Sequence, residues 1–236
     1  MGNELTILLV TALSIGFLHT LFGPDHYLPF IMMSKARNWK MSKTMTITLL
    51  CGLGHVGSSI VLGIIGVSVG IAINKIEVFE SFRGNLAAWA FIAFGLVYFI
   101  WGLRKALRNK PHSHFHRHDD GIKHEHEHTH FNEHSHVHDI KKKQITPWIL
   151  FTIFVLGPCE PLIPILMYPA AKNNLSILIM VTVTFAIITI ATMMTVVYLV
   201  SLGYKFLPLK KMEKYSHALA GAIIMFSGIG IQFLGL

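Results

Sequence analysis

The sequence predicts an all-α membrane protein with six transmembrane helices arranged as a 3+3 inverted repeat, helices one and four being interrupted at Gly-Pro. Composition, charge spacing and a duplicated motif carry that expectation. Of the 236 residues, 53% are hydrophobic and only 14% charged, with a mean hydropathy of +0.55. A soluble domain carries about 25% charged residues. Lys and Arg are absent from 44–74, 84–103, 144–171, 173–204 and 215–236, and each gap is long enough for a helix of roughly 20 residues to cross the hydrocarbon core. A soluble enzyme, a secreted disulfide scaffold and a nucleic-acid partner are excluded, despite a net charge of +8.

The spans fall at about 5–33, 44–73, 85–103, 147–170, 175–203 and 216–236. The first carries no basic residue before Lys35 and no small-residue cleavage site, so it is expected to stay. The first, third and fifth loops hold 17 of the 20 Lys and Arg, and the other side only Lys75, Arg83 and Lys172. Basic residues are retained on the cytoplasmic side, which puts both termini outside a cell membrane and the long loop in the cytoplasm. Trp39, Trp101, Trp148 and Tyr215 near span ends suit interfacial anchoring. Three units result: a first three-span repeat over 1–103, a His-rich loop over 104–146 and a second repeat over 147–236.

The repeat shows in GPDHYLPFIMMSKARN (23–38) and GPCEPLIPILMYPAAKN (157–173), with Gly23-Pro24 matching Gly157-Pro158 and Leu28 matching Leu162. A three-span unit used twice must be inserted upside down the second time, and transporters of this plan bind where interrupted helices meet. Proline lacks an N–H and clashes with the carbonyl one turn earlier. In hydrocarbon, the carbonyl so released needs another partner.

Directly after the breaks stand Asp25-His26 and Cys159-Glu160. A carboxylate at the bilayer centre costs about 2.5–3.5 kcal/mol even on the lenient insertion scale. No Lys or Arg lies inside any of the six spans, so either protonation or a bound cation is expected to offset that cost. Asp, Glu, His and Cys ligate first-row transition metals, and the expected metal site is Asp25, His26, Cys159 and Glu160, supported by His19 and His55. Cys51 and His55 share a helix face, His55 being the better ligand candidate. Gly52, Gly54, Gly57, Gly63, Gly66 and Gly70 read as helix packing.

Eleven of the 15 histidines lie in the loop: His112, His114, His116, His118, His124, His126, His128, His130, His134, His136 and His138. Such composition does not bury a core, and imidazole suits zinc, copper, nickel and cobalt. A metal-binding segment without fixed structure is expected, gathering, buffering or sensing the ion.

His19, Asp25 and His26 before a hydrophobic run, with a His-rich loop between two sets of spans, resemble the nickel/cobalt transporter superfamily and its urease-accessory-like membrane relatives. That family's motif places four residues between its His and Asp-His, whereas five separate His19 from Asp25 here. The resemblance implies a non-enzymatic transporter whose substrate is a divalent transition-metal ion (nickel, cobalt or zinc). Its implied partners are the lipid bilayer, the metal ion, a cytoplasmic metal donor or acceptor, and a second copy of the chain. GPCEPLIP also resembles the Pro-Cys elements of transmembrane thiol-disulfide carriers of cytochrome c maturation. Those need two cysteines at equivalent places, and the counterpart of Cys159 here is Asp25. A membrane metal sensor that does not transport is the third class.

Overall fold

The computed structural model describes residues 2–68, 73–108, 112–117, 123–128, 145–157, 159, 161–171, 174–203 and 214–234. The membrane body is helical. α1 (Gly2–Phe22) gives way to a 3-10 turn (Pro24–His26), followed by α2 (Leu28–Ala36), α3 (Met41–Ser68) and α4 (Ile73–Arg108). The second half contains α5 (Thr146–Leu156), α6 (Leu162–Ala171), α7 (Leu175–Gly203) and α8 (Ser216–Leu234).

Five of these helices are long and apolar enough to cross a membrane: Asn3–Phe22, Met41–Ile65, Val78–Arg108, Leu175–Gly203 and Ser216–Leu234. The expected fourth span, 147–170, is not a single crossing helix, because its chain is divided between α5 and α6, of 11 and 10 residues. Large apolar side chains such as Ile7, Val10, Phe22, Val97, Ile187 and Leu199 stand exposed around the bundle. Apolar surface on this scale is what a lipid solvent accepts and water does not.

α4 and α8 form the closest helix pair. A Cβ on Gly95 would collide with the backbone of Met225, one on Gly221 with the backbone of Phe99, and one on Gly228 would stand 2.8 Å from Phe91 Cβ. Small residues at such crossings let two backbones approach in the absence of a hydrophobic drive between helices. α2 ends with Asn38 at φ 49°. The Trp39 amide then bonds the Ser34 carbonyl and the Asn38 amide bonds that of Lys35, the pairing of a Schellman stop. Trp39 is buried in the core beside Phe30, Met33 and Leu150, so it is not the interfacial anchor expected of it. Trp148 is exposed, as an anchor would be.

The loop departs from the expected unstructured chain over part of its length. β1 (His112–Arg117) and β2 (Lys123–His128) pair antiparallel, with His112 opposite His128, His114 opposite His126 and His116 opposite His124. The alternation of His with other residues has the period of a strand, which is the local reason the segment takes this form. His118, His130, His134, His136 and His138 lie outside the described residues.

Candidate functional site

Both breaks fall after a helix and leave backbone groups that the sequence cannot satisfy from within that helix. In the first half, Gly23 still donates to the His19 carbonyl (2.9 Å), and a tight turn follows in which His26 N donates to Gly23 O. The Leu21 carbonyl would serve Asp25 in a continuous helix. It receives the Tyr27 hydroxyl instead, at 3.2 Å.

The second break is served from two neighbouring helices. Pro158 has no N–H to offer Phe154, and the Phe154 carbonyl accepts from His55 Nδ1 of α3 at 3.3 Å. The Val155 carbonyl, which a continuous helix would pair with Cys159, accepts from Arg83 of α4 at 2.7 Å. The Cys159 amide in turn donates to Ser59 Oγ at 3.1 Å. Arg83 also donates to Glu80 Oε1 (2.6 Å) and to Ser58 Oγ (2.7 Å), and Ser59 Oγ lies 3.5 Å from Glu80 Oε2. Glu80 and Arg83 are 2% and 9% exposed, so a buried ion pair ties α3 and α4 to the chain between α5 and α6.

The sequence places Arg83 in a loop and no Lys or Arg inside any of the six expected spans. Arg83 is instead a buried group on α4, one turn from Glu80. The available signal was that Glu80 and Arg83 stand at i and i+3 immediately before a long apolar run.

The expected ligands divide into two sets. His19, the turn residues Asp25 and His26, and His55 line one cavity of about 220 Å³, walled further by Phe91, Phe154 and Gln232. The His19 and His26 rings have centroids 4.8 Å apart and those of His26 and His55 5.1 Å, both edge to face. Gly23 exists here for room: a Cβ would stand 2.5 Å from His26 Nδ1 and 3.0 Å from Asp25 Oδ1. A Cβ on Gly157 would meet His55 Nδ1 only at ordinary contact distance, 3.4 Å. His26 Nδ1 faces two acceptors, Gly23 O at 3.2 Å and Asp25 Oδ1 at 3.1 Å. A buried ring nitrogen left without a partner costs about 1–3 kcal/mol, so two strong acceptors on one side fix which nitrogen carries the proton.

Cys159 is fully buried in a different cluster, with Ala12, Leu162, Val181 and Phe185. It is not among the clustered ligand atoms of the described residues, which come from His19, His26 and His55. Glu160 lies outside the described residues. Cys51 is fully buried in the other core cluster, beside Phe30, Phe154 and Met193, and forms no disulfide with Cys159.

Broken helices that enclose a buried thiol and a cluster of imidazoles define a polytopic membrane protein with a chemically equipped interior, not a passive anchor. The family model of the cytochrome c biogenesis protein transmembrane region matches residues 11–230, and the chain belongs to that family. This match overturns the nickel/cobalt transporter resemblance and, with it, metal transport as the function. The motif that suggested it covers only residues 19–29, whereas the family match covers both halves of the chain. No curated relative and no solved structure is detectably similar to the chain.

Proposed function

We propose that the protein is a membrane thiol–disulfide carrier that moves reducing equivalents between a dithiol on one face and a disulfide on the other. The observation that carries this reading is a fully buried cysteine in the link between α5 and α6 of a chain whose family acts in cytochrome c biogenesis. In each cycle the Cys51 and Cys159 thiols reduce an acceptor disulfide. The S–S bond of the acceptor breaks, one forms between the two cysteines, and two electrons and two protons leave with the acceptor dithiol. A donor dithiol then restores both thiols through a mixed disulfide.

The resting geometry sets one requirement. Cys159 is held at the level of Ser59, eight residues along α3 from Cys51, which at 1.5 Å per residue is on the order of 10 Å. Bridging needs Cα atoms within roughly 7 Å. The α5–α6 link must therefore slide along α3 during the cycle, releasing the hydrogen bonds from Arg83 and to Ser59 that hold it in the resting position. In the same proposal the chain keeps the six-segment 3+3 plan, with α5 and α6 together as the fourth segment, both termini outside and the His-rich loop in the cytoplasm.

Proteoliposomes containing the full chain, with an impermeant protein dithiol outside and a trapped disulfide reporter inside, test this. Reduction of the reporter is expected with the wild-type chain and is expected to fall to the lipid-only rate in Cys159→Ser and Cys51→Ser. Unchanged reduction in both variants overturns the reading.

A further inference from the structure

The carrier cycle uses neither the three clustered histidines nor Asp25. The Nε2 atoms of His19, His26 and His55 are all buried and have no hydrogen-bond partner among the described residues. One ring nitrogen from each lies within 4.8 Å of the other two.

The tautomers are set from behind. His55 Nδ1 faces only the Phe154 carbonyl and must donate to it. His26 Nδ1 faces the Gly23 carbonyl and the Asp25 carboxylate and must likewise donate. Neutral imidazoles protonated at Nδ1 carry their lone pair on Nε2. Two fixed lone pairs therefore lie in the same small cavity as His19, and neither has a hydrogen-bond partner among the described residues.

We infer that His19, His26 and His55 form a site for one divalent transition-metal ion of the zinc, cobalt or nickel kind, with Asp25 as the carboxylate that orients His26. Imidazole nitrogen suits these borderline ions. Three nitrogens at about 2.05 Å from a tetrahedral ion stand about 3.4 Å apart, so the present cluster closes onto an ion by small ring movements. The hydrogen bonds at Nδ1 of His26 and His55 are the outer contacts that metal-bound histidines ordinarily make. The fourth position opens on the cavity, which leaves room for a water or a small anion. The ion is bound and retained, and the site is independent of the thiol chemistry of Cys159.

The test uses the full chain purified in detergent and loaded with cobalt(II), then desalted in the presence of a weak chelator. Because the loop histidines bind cobalt in every sample, the readout is the difference between variants. Wild-type protein is expected to retain one equivalent more than His55→Gln and to show the visible absorption of a low-coordinate nitrogen site that the variant lacks. Asp25→Asn, which keeps the side-chain shape, is expected to hold that equivalent 10–100-fold more weakly. This second variant keeps the test decisive if His55→Gln fails to fold. Equal retention and an identical spectrum in wild type and in every variant that folds would mean a cavity without the ion and all binding in the loop, and would overturn the inference.

Discussion

Arg83 of α4 donates a 2.7 Å hydrogen bond to the carbonyl of Val155, the group that loses its own helical partner where α5 ends. One guanidinium thereby satisfies the end of α5 and neutralises a buried Glu80. Removing one member of a buried pair strands the other charge and costs about 3–5 kcal/mol. Arg83→Met is therefore expected to destabilise the protein by about that amount, and Glu80→Leu with Arg83→Met by clearly less. Thermal unfolding in detergent, run as a double-mutant cycle, measures the difference. Additive losses would show that the two side chains act separately.

The α4–α8 crossing makes a sharper packing statement. Gly95 and Gly221 each face the partner backbone, which has no far end to swing aside. Gly221→Ala is expected to cost about 1–3 kcal/mol through overpacking. Gly57 of α3 has open space where its Cβ would go, and Gly57→Ala is expected to be neutral or to gain about 0.5–1 kcal/mol from helix propensity. The same melting experiment distinguishes them, and loss at both positions would contradict the packing described.

The helical membrane class was legible in the sequence, because hydropathy and charge spacing act locally. His19, Asp25, His26 and His55, singled out by residue type and by their place beside the first Gly-Pro or within the second span, line one cavity. What was not legible depended on which helices lie side by side. Cys159 groups with the histidines in the sequence because it follows Gly157-Pro158 as Asp25 follows Gly23-Pro24. In the structure its amide is held by Ser59, and its side chain packs among Leu162, Val181 and Phe185. Arg83 was misread because its partner carbonyl lies 72 residues away, a distance over which no periodicity speaks. Gly95, Gly102 and Gly228 sit where α4 and α8 pack against each other, a pairing that no local pattern announces.

Tyr27 offers a test of the first break. Its hydroxyl is the partner of the Leu21 carbonyl, in the place that the Asp25 amide would otherwise fill. Tyr27→Phe removes that donor and keeps the ring, so a loss of about 1 kcal/mol is expected. Backbone hydrogen exchange is expected to rise around residues 21–27 and to stay unchanged in α7. Protection that falls evenly over all helices would mean that the hydroxyl does not serve this turn in particular.

Ser59→Ala separates local anchoring of the α5–α6 link from general stability. The Cys159 amide donates to this hydroxyl, and the hydroxyl is 1% exposed, so no water stands ready to replace it. Losing about 1 kcal/mol from the closed position of the link raises its open population about fivefold. Maleimide labelling of Cys159 in membranes is expected to quicken by about that factor. Cys51 shares α3 with Ser59 but is fully buried in the other core cluster, and its labelling is expected to hold steady. The ratio of the two rates is the informative quantity. Equal acceleration at both cysteines would report loosening of the whole bundle, whereas acceleration at Cys159 alone identifies the link as the moving part that the proposed thiol exchange with Cys51 requires.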